Sequence, residues 1–367
     1  MEIPVLDLTP EVDELWDEIN TAVQRVLRST QFIMGPEVKA FEHEVAEYLG
    51  VKHAIGVNSG TDALVISLRA LGIGAGDEVI TTSFTFFATA EAISAVGATP
   101  VFVDIDPKTF NIDPNLIEEK ITSATRAIMP VHLFGRPVEM QVVMSLAEKY
   151  ELKVIEDVAQ AFSGEYRGKK LGTLGTMGAY SFFPSKNLGC YGDGGLLVTD
   201  DDALADSARM LKAHGAKKKY YNEFIGYNSR LDSLQAAILR VKLPHIDIWS
   251  EGRRRVANRY NELLANIPGI ITPEICEGHV FHQYTIQING IHRDELQRKL
   301  AEEGIGSMVY YPVPVHQLPI YRTSDYSLTV TQSAAKHVLS LPIWPKMEED
   351  MIKHVCDKVI LLSAMLR

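Results

Sequence analysis

The chain has 367 residues, of which 46% are hydrophobic and 23% are charged. This composition excludes disordered and fibrous proteins and predicts a soluble globular chain, long enough for one large domain and a smaller one. The net charge of −11 argues against general nucleic-acid binding, because a nucleic-acid interface requires a basic face.

The cysteines and the N-terminal segment bear on the cellular compartment. Cys190, Cys276 and Cys356 are far apart, odd in number and without CxxC spacing. We therefore expect no disulfide framework, no metal site and a cytoplasmic location. Residues 1–18 are acidic and lack the apolar core of a signal peptide. The longest uncharged run, residues 171–185, is too short to span a bilayer, so no membrane association is expected.

Hydrophobic periodicity predicts an alternation of helices and short strands over residues 10–183. Helices are predicted at 10–28, 36–49, 63–71, 86–96, 115–121 and 140–150, and strands at 54–57, 78–82, 100–103, 127–131, 153–155 and 179–183. This alternation indicates an α/β fold with a mostly parallel sheet covered by helices on both faces. Ligands of such sheets bind where the strands end, and the candidate residues there are Ser59–Asp62, Thr85, Phe86, His132, Asp157 and Ser181.

The rest of the chain begins with further helices and ends in a different pattern. Helices are predicted at 203–213 and 231–243, and a long charged helix at 246–265 follows Pro244. The later elements are a β-like run at 280–288, a helix at 292–303, a strand at 307–311 and helices at 332–338 and 348–366. We predict a large domain over residues 1–245 and a smaller α+β domain over residues 246–367.

Two of the predicted strands lead into residues that suit pyridoxal phosphate (PLP). The strand at 153–155 is followed by Glu156 and Asp157, and the strand at 179–183 by Lys186 on a Pro-Ser-Lys turn before a glycine-rich loop. PLP requires a lysine for a Schiff base and a carboxylate that keeps its pyridine nitrogen protonated. Because side chains alternate along a strand, only one of the two acids faces the ring. A surface lysine and a helix-capping aspartate are the alternative interpretations.

Three segments, EDVAQ (156–160), SFFPSK (181–186) and CYGDGG (190–195), resemble motifs of the PLP-dependent sugar aminotransferases of the DegT/DnrJ/EryC1/StrS family. The resemblance extends over nearly the whole chain, and the chain looks closest to enzymes that aminate 3-keto nucleotide sugars. It implies PLP-dependent transferase fold type I, like aspartate aminotransferase, with PLP as the cofactor. It also implies that Asp157 is the partner of the pyridine nitrogen and that Lys186 is the Schiff-base lysine and proton carrier.

The turn before the predicted helix at 63–71 is the implied phosphate site. Helix N-termini bind phosphate through unpaired N–H groups, and glycine lets the backbone approach closely. The phosphate contacts that the resemblance implies are Gly60, Thr61, Asp62 and Ser181. A helix cap that binds no ligand is the alternative interpretation.

The resemblance implies three further cofactor contacts. Gln160 is expected to bind the ring hydroxyl, Phe86 to stack on the ring, and Asn228 to reach the phosphate in the neighbouring subunit. The role of Asn228 implies a homodimer with shared active sites. A core phenylalanine and a turn residue are the alternatives for Phe86 and Asn228.

The segment YYPVPVH, residues 310–316, resembles the motif of enzymes that act at C3 of the sugar. Tyr311, His316 and Arg230 are accordingly candidate substrate contacts, with a structural loop and a local salt bridge as the alternatives. The double proline restricts the backbone before the histidine. A basic stretch from Arg209 to Lys219 either meets a diphosphate or forms a solvated loop.

The activity implied by the resemblance is a transamination. L-glutamate would donate its amino group, through PLP, to a keto group of a UDP- or dTDP-linked sugar, with C3 favoured over C4. The expected product is an amino sugar for lipopolysaccharide or another surface glycan. Related dehydratases carry histidine in place of the lysine, so Lys186 argues against that chemistry. A regulatory protein is disfavoured because no DNA-binding helix pair or basic domain is visible.

Overall fold

The structure is a computed structural model that describes residues 2–322 and 326–367. Its α-helices are α1 (Thr9–Ser29), α2 (Pro36–Leu49), α3 (Gly60–Ala70), α4 (Ala88–Ala95), α5 (Met140–Lys149), α6 (Asp202–Leu211), α7 (Ser233–Lys242), α8 (Ile246–Leu263), α9 (Arg293–Glu302), α10 (Thr329–His337) and α11 (Glu349–Met365). Its strands are β1 (His53–Val57), β2 (Glu78–Thr82), β3 (Thr99–Val103), β4 (Thr125–Ile128), β5 (Lys153–Asp157), β6 (Glu165–Tyr166), β7 (Lys169–Lys170), β8 (Met177–Ser181), β9 (Gly195–Thr199), β10 (Ala216–Lys218), β11 (Tyr221–Asn222), β12 (Ile270–Ile271), β13 (Tyr284–Ile288) and β14 (Val338–Leu341). Among these described elements, no helix is both long enough and apolar enough to cross a membrane.

The largest element of the architecture is a seven-stranded sheet in the order β1-β9-β8-β5-β4-β2-β3. β9 runs antiparallel to its two neighbours, and the other pairs are parallel. Asp157 of β5 lies opposite Ala179 of β8, so these two strands end at the same edge. The predicted α/β fold with a mostly parallel sheet is confirmed.

Apolar side chains fill the space on both faces of this sheet. Phe41 and Leu239, from α2 and α7, pack with Tyr180 on one face. Leu64 and Ile93, from α3 and α4, belong to the core on the other face. All residues of β9 are buried, as expected for a strand covered on both sides. Burial of each large apolar side chain contributes about 1.5–3 kcal/mol to the free energy of unfolding. The two cores therefore hold the ends of the strands in place.

A further core surrounds the three-stranded antiparallel sheet β12-β13-β14. It includes residues of α9 and α11, and also Ile3 near the N-terminus, which pairs with Ile305. α8 takes part in both cores, since Trp249 packs with the large sheet and Tyr260 with the small one. The domain boundary after residue 245 therefore stays a prediction.

Two predicted elements differ from the structure. Residues 115–121 form two single turns of 3-10 helix instead of an α-helix, because so short a run does not offset the cost of helix nucleation. In the described chain, residues 307–311 do not form a strand. Among them, only Met308 pairs with another residue, Ser340 of β14. One isolated pair does not make a strand, because a ladder needs hydrogen bonds at successive positions along the chain.

Asp104, just after β3, caps α10 from outside that helix. Its carboxylate accepts hydrogen bonds from the N–H of Val330 (3.0 Å) and from the N–H and hydroxyl of Thr331 (2.8 and 2.7 Å). We expect Asp104→Ala to lower the free energy of unfolding by about 1–3 kcal/mol, because a buried helix end loses its acceptor. Urea denaturation measures the loss, with Asp13→Ala, at an exposed position on α1, as the matched control. Equal losses in the two variants would contradict the capping role.

Candidate active site

β5 ends in two neighbouring carboxylates that face opposite sides of the sheet. Glu156 is fully buried and accepts hydrogen bonds at 2.7–2.8 Å from three backbone N–H groups in residues 172–175. Its Oε2 also lies 3.0 Å from Nε2 of His132. These contacts are structural, since they fix the turn before β8. They leave Asp157 as the acid that is available to a ligand.

Asp157 is 5% exposed and has two hydrogen-bond donors. Thr89 Oγ1 donates to Oδ2 at 2.8 Å, and the N–H of Ala159 donates to Oδ1 at 3.1 Å. Burial raises the pKa of Asp157 above its ordinary value. These donors and the charges of Lys186 and His132 lower the pKa and so offset only part of the rise. Within the described residues the carboxylate has no salt-bridge partner, so a buried acid faces the site without a cation.

Lys186 lies in a tight turn after β8, in which its N–H donates to the carbonyl of Phe183 at 2.8 Å. The pKa of Lys186 is lowered from an ordinary value of 10.5 to about 8. Burial causes this decrease, and the charge of Asp157 limits it. More of the amine is therefore neutral near pH 7 than for an exposed lysine. A neutral amine is the form that reacts with an aldehyde, as the sequence-based hypothesis requires.

The N-terminus of α3 lies against the end of β8. The Ser59 hydroxyl caps this helix by accepting from the N–H of Asp62 at 3.1 Å. The N–H groups of Gly60 and Thr61 have no acceptor in the described part of the chain. A Cβ added at Gly60 would lie 2.7 Å from Cβ of Ser181. The structure thus brings together the four residues predicted to bind the phosphate, and two unpaired N–H groups fit an anion there.

Gly60→Ala tests this close approach. The added methyl group must displace α3 or β8, and overpacking of this kind costs about 1–3 kcal/mol. We expect PLP to bind about 5- to 150-fold more weakly, as measured by titration of the apo-protein with PLP. Gly74→Ala is the matched control, because an added Cβ there meets nothing closer than 3.4 Å. Equal affinities in the two variants would contradict a phosphate site at Gly60.

Gln160 contacts one other predicted site residue, Tyr311, and through it lies near Phe86. Its Oε1 accepts from the N–H of Phe134 at 2.7 Å, and its Nε2 donates to the Tyr311 hydroxyl at 2.9 Å. The Tyr311 ring lies 6.2 Å from the ring of Phe86. Phe86 is 59% exposed, which excludes the alternative that it is an ordinary core phenylalanine. Its free face is available to a planar ligand.

His316 is buried rather than exposed in a loop. Its Nδ1 lies 2.6 Å from Oγ of Ser83, which also accepts from the His316 N–H at 3.0 Å. Its Nε2 is 3.4 Å from Nε2 of Gln332. Burial lowers the pKa of His316, and the charge of Asp104 raises it, so the ring is held mainly neutral. Ser83 attaches His316 to the loop after β2 that also carries Phe86.

Asn228 and Arg230 contact each other, since Arg230 Nη2 donates to Asn228 Oδ1. Asn228 is exposed, and its predicted reach into a neighbouring subunit stays a prediction. The basic stretch from 209 to 219 is not uniformly solvated. Lys212 is buried and donates to Glu42 Oε1 at 3.1 Å and to the Gly56 carbonyl at 2.8 Å, so its amine is not free for a diphosphate.

The sequence reasoning missed a buried pair beside the lysine. Asn187, the residue after Lys186, donates from Nδ2 to the Val280 carbonyl at 3.1 Å, and its Oδ1 lies 3.1 Å from Nδ1 of His282. Burial and then the charge of Lys186 hold the pKa of His282 well below its ordinary value. The position of Asn187 beside Lys186 was the one available signal, and nothing local pointed to His282.

The donor set at this site fits PLP. The described residues contain no group of three or more histidine, cysteine or acidic side chains that could hold a metal ion. They do contain the Lys186 amine with its lowered pKa, the buried Asp157 carboxylate and the N-terminus of α3 with its free N–H groups. These groups lie near the ends of β8, β5 and α3, which are neighbours in the fold. A lysine, an acid and an anion site are the groups that PLP needs.

Comparison with known proteins decides the family. The sequence profile of the DegT/DnrJ/EryC1/StrS aminotransferase family matches residues 13–360. The chain belongs to this family. The predicted family, fold type I, PLP cofactor and aminotransferase activity are thereby confirmed.

Individual relatives of the DegT/DnrJ/EryC1/StrS family match along almost their whole length. A pleiotropic regulatory protein of Geobacillus stearothermophilus is 50% identical, with 98% of each chain covered. The UDP-N-acetyl-3-dehydro-α-D-glucosamine 3-aminotransferase of Acidithiobacillus ferrooxidans is 47% identical, with 97% of each chain covered. The crystal structure of S. venezuelae DesV in complex with a ketimine intermediate superposes with a TM-score of 0.95 at 44% identity, covering 99% of this chain and 98% of DesV.

Proposed function

We propose that the protein transfers the amino group of L-glutamate to the C3 keto group of a UDP- or dTDP-linked sugar. The observation that carries this proposal is a buried Asp157 carboxylate without a salt-bridge partner among the described residues, on the strand next to the one that leads to Lys186, whose pKa is lowered, in a member of the DegT/DnrJ/EryC1/StrS family. The choice of C3 is supported by the 3-aminotransferase of Acidithiobacillus ferrooxidans, which is 47% identical. The product serves the synthesis of lipopolysaccharide or another surface glycan.

Each site residue has a distinct task in this proposal. Bound PLP supplies the electron sink that transamination needs. Asp157 holds the positive charge at the ring nitrogen, and Lys186 carries a proton to and from the reacting carbon. Gln160 binds the ring hydroxyl, and Phe86 covers one face of the ring. Because the two amino-transfer steps use one site in turn, ping-pong kinetics are expected.

The remaining contacts hold the cofactor phosphate and the sugar. Gly60, Thr61, Asp62 and Ser181 form the phosphate site, together with Asn228 of the second subunit in a homodimer. Tyr311, His316 and Arg230 bind the sugar nucleotide. Because Nδ1 of His316 contacts Ser83, its Nε2 is the ring atom left for the sugar, and on a neutral ring this atom fits a hydroxyl better than an anion.

A cytoplasmic location is part of the proposal. The three cysteines, Cys190, Cys276 and Cys356, are free thiols, and two of them are buried. Free thiols persist in a reducing compartment. Nucleotide-activated sugars as substrates suit the same compartment.

An absorption spectrum before and after addition of L-glutamate tests the proposed function. We expect a visible band from PLP bound to the protein, and its loss when glutamate converts PLP to pyridoxamine phosphate. D-glutamate at the same concentration is the control. A panel of 3-keto and 4-keto sugars linked to UDP or dTDP then identifies the acceptor and separates C3 from C4.

Three outcomes would contradict the proposal. A visible band that does not respond to glutamate would indicate another donor or another chemistry. Absence of any band after addition of PLP would instead favour a role without catalysis, such as the regulatory one named for the Geobacillus relative. Activity with 4-keto sugars alone would overturn the assignment to C3.

A further inference from the structure

Two threonines form a chain of hydrogen bonds that ends at the carboxylate of Asp157. Thr89 Oγ1 lies 2.8 Å from Oδ2 of Asp157 and 3.0 Å from Oγ1 of Thr85. Both threonines are buried, with exposed fractions of 3% for Thr85 and 1% for Thr89. A hydroxyl group has a single proton to donate. When Asp157 is ionised, Thr89 therefore donates to Asp157 and accepts from Thr85, so both O–H groups point toward the carboxylate.

The direction of these two hydrogen bonds depends on the charge of Asp157. A protonated Asp157 would instead donate to Thr89, and Thr89 would donate to Thr85. Hydrogen bonds in a chain polarise one another, so the arrangement directed at the carboxylate stabilises the ionised form by more than one isolated bond does. This opposes desolvation, which favours the neutral acid at a buried position.

We propose that Thr89, supported by Thr85, is a positioning residue that keeps Asp157 ionised and directs its remaining lone pairs at the ring nitrogen of the cofactor. This inference rests on the proposed function, because it takes Asp157 as the partner of that nitrogen. The location of the threonines agrees with it, since they lie on either side of Phe86, the residue proposed to cover the ring. The segment of residues 85–89, which joins β2 to the first turn of α4, would thus serve both the face and the edge of the same ring.

Isosteric substitutions test the hydroxyl of Thr89. Thr89→Val removes the hydroxyl and keeps the shape, whereas Thr89→Ser keeps the hydroxyl. We expect Thr89→Val to lower kcat by about 10- to 150-fold with little change in KM, because a hydrogen bond to a charged group is lost and no substrate contact changes. Thr89→Ser should retain most of the wild-type kcat, and Thr85→Val should show a smaller loss of the same kind.

A second measurement uses the apo-protein and does not depend on activity. An acid whose pKa is higher in the folded than in the unfolded state loses stability as the pH rises from its unfolded pKa to its folded pKa. Burial places Asp157 in this class. Without the Thr89 hydroxyl, the decline in unfolding free energy should extend to higher pH. Thr81→Val is the matched control, because its buried hydroxyl donates to the Met129 carbonyl at 2.8 Å, away from Asp157.

The outcomes separate this inference from the proposed function. A Thr89→Val variant with wild-type kcat and an unchanged pH dependence of unfolding overturns the inference and leaves the proposed function intact. Similar losses of kcat in Thr89→Val, Thr89→Ser and Thr81→Val indicate a packing effect and also overturn it. If Thr89→Val does not fold, the same two readouts on Thr85→Val decide. A wild-type protein without transamination overturns the proposed function, and the apo-protein measurement still tests the link between Thr89 and Asp157.

Discussion

Lys186→Ala is expected to abolish transamination, with kcat lowered by on the order of a thousandfold or more. In the proposed function the lysine supplies both the amine that attaches covalently to PLP and the base that moves a proton to and from the substrate carbon, and alanine would supply neither. After incubation with PLP, the variant should lack the visible band of the covalently attached cofactor. The spectrum and the rate of 2-oxoglutarate formation from L-glutamate measure the two losses.

Lys169→Ala is the matched control for this variant, because Lys169 is an exposed lysine on β7. Its spectrum and kcat should equal those of the wild type. Partial recovery of the Lys186→Ala rate by a small primary amine would identify the missing group as the amine itself. Normal turnover in Lys186→Ala would overturn the assignment of the lysine and, with it, the mechanism.

The lowered pKa of Lys186 also has a consequence for stability. Between about pH 8, its folded pKa, and 10.5, its ordinary value, the unfolded chain binds more protons than the folded chain. The stability of the apo-protein attributable to this group therefore rises with pH across that interval and is lowest below it. Lys186→Met removes the buried charge, so it should be more stable than the wild type at pH 7 and no more stable near pH 10.5. A constant difference across this range would contradict a buried amine.

Asp157→Asn should have the next largest effect, with kcat lowered by about 10²- to 10⁴-fold. Asparagine keeps the shape of the side chain and can still accept from the N–H of Ala159, but it carries no negative charge. Loss of one partner from a buried charge pair costs about 3–5 kcal/mol, and in the proposed function the missing charge would be the one that holds the ring nitrogen protonated. PLP affinity should fall much less, because the phosphate contacts near Gly60 are unchanged. Steady-state kinetics and PLP titration separate the two effects.

Glu156→Gln provides the contrasting result on the same strand. Glu156 accepts three backbone hydrogen bonds and contacts His132 on the opposite side of the sheet. Its amide variant should lose about 1–3 kcal/mol of unfolding free energy and retain its kcat where it is folded. A large loss of kcat in Glu156→Gln, with a small one in Asp157→Asn, would show that the acids have been assigned in the wrong order.

The two acids illustrate how far the sequence leads and where it stops. The alternation of side chains on β5 predicts that Glu156 and Asp157 face opposite sides of the sheet. It does not predict which side holds the ligand. The resemblance to the family selected Asp157. In the structure, the turn at residues 172–175 occupies Glu156 and leaves Asp157 available. That turn precedes β8, so its contact with Glu156 exists only after β5 and β8 have paired.

The helices and strands also show what local sequence patterns predict and what they leave open. Long periodic helices such as α1 and α8 agree closely with their predicted bounds, because each presents its own apolar stripe. The predicted strand at 307–311 is wrong, since a strand exists only where a neighbour supplies the matching hydrogen bonds. Among these residues only Met308 is paired in the structure, with Ser340.

By itself, the sequence determined the α/β sheet and, through its resemblance to the family, the PLP cofactor. It also led to the proposed roles of Lys186, Asp157 and the turn at residues 60–62, because the motifs that carry them are short stretches of the chain. The tertiary structure alone decided what surrounds them. Thr89 and Asp157 are 68 residues apart, and Ser83 and His316 are 233 apart. Periodicity specifies which face of an element is buried, and it carries no information about which distant element packs against that face. The hydrogen bonds that Thr89 makes to Asp157 and Ser83 makes to His316 arise only from that packing.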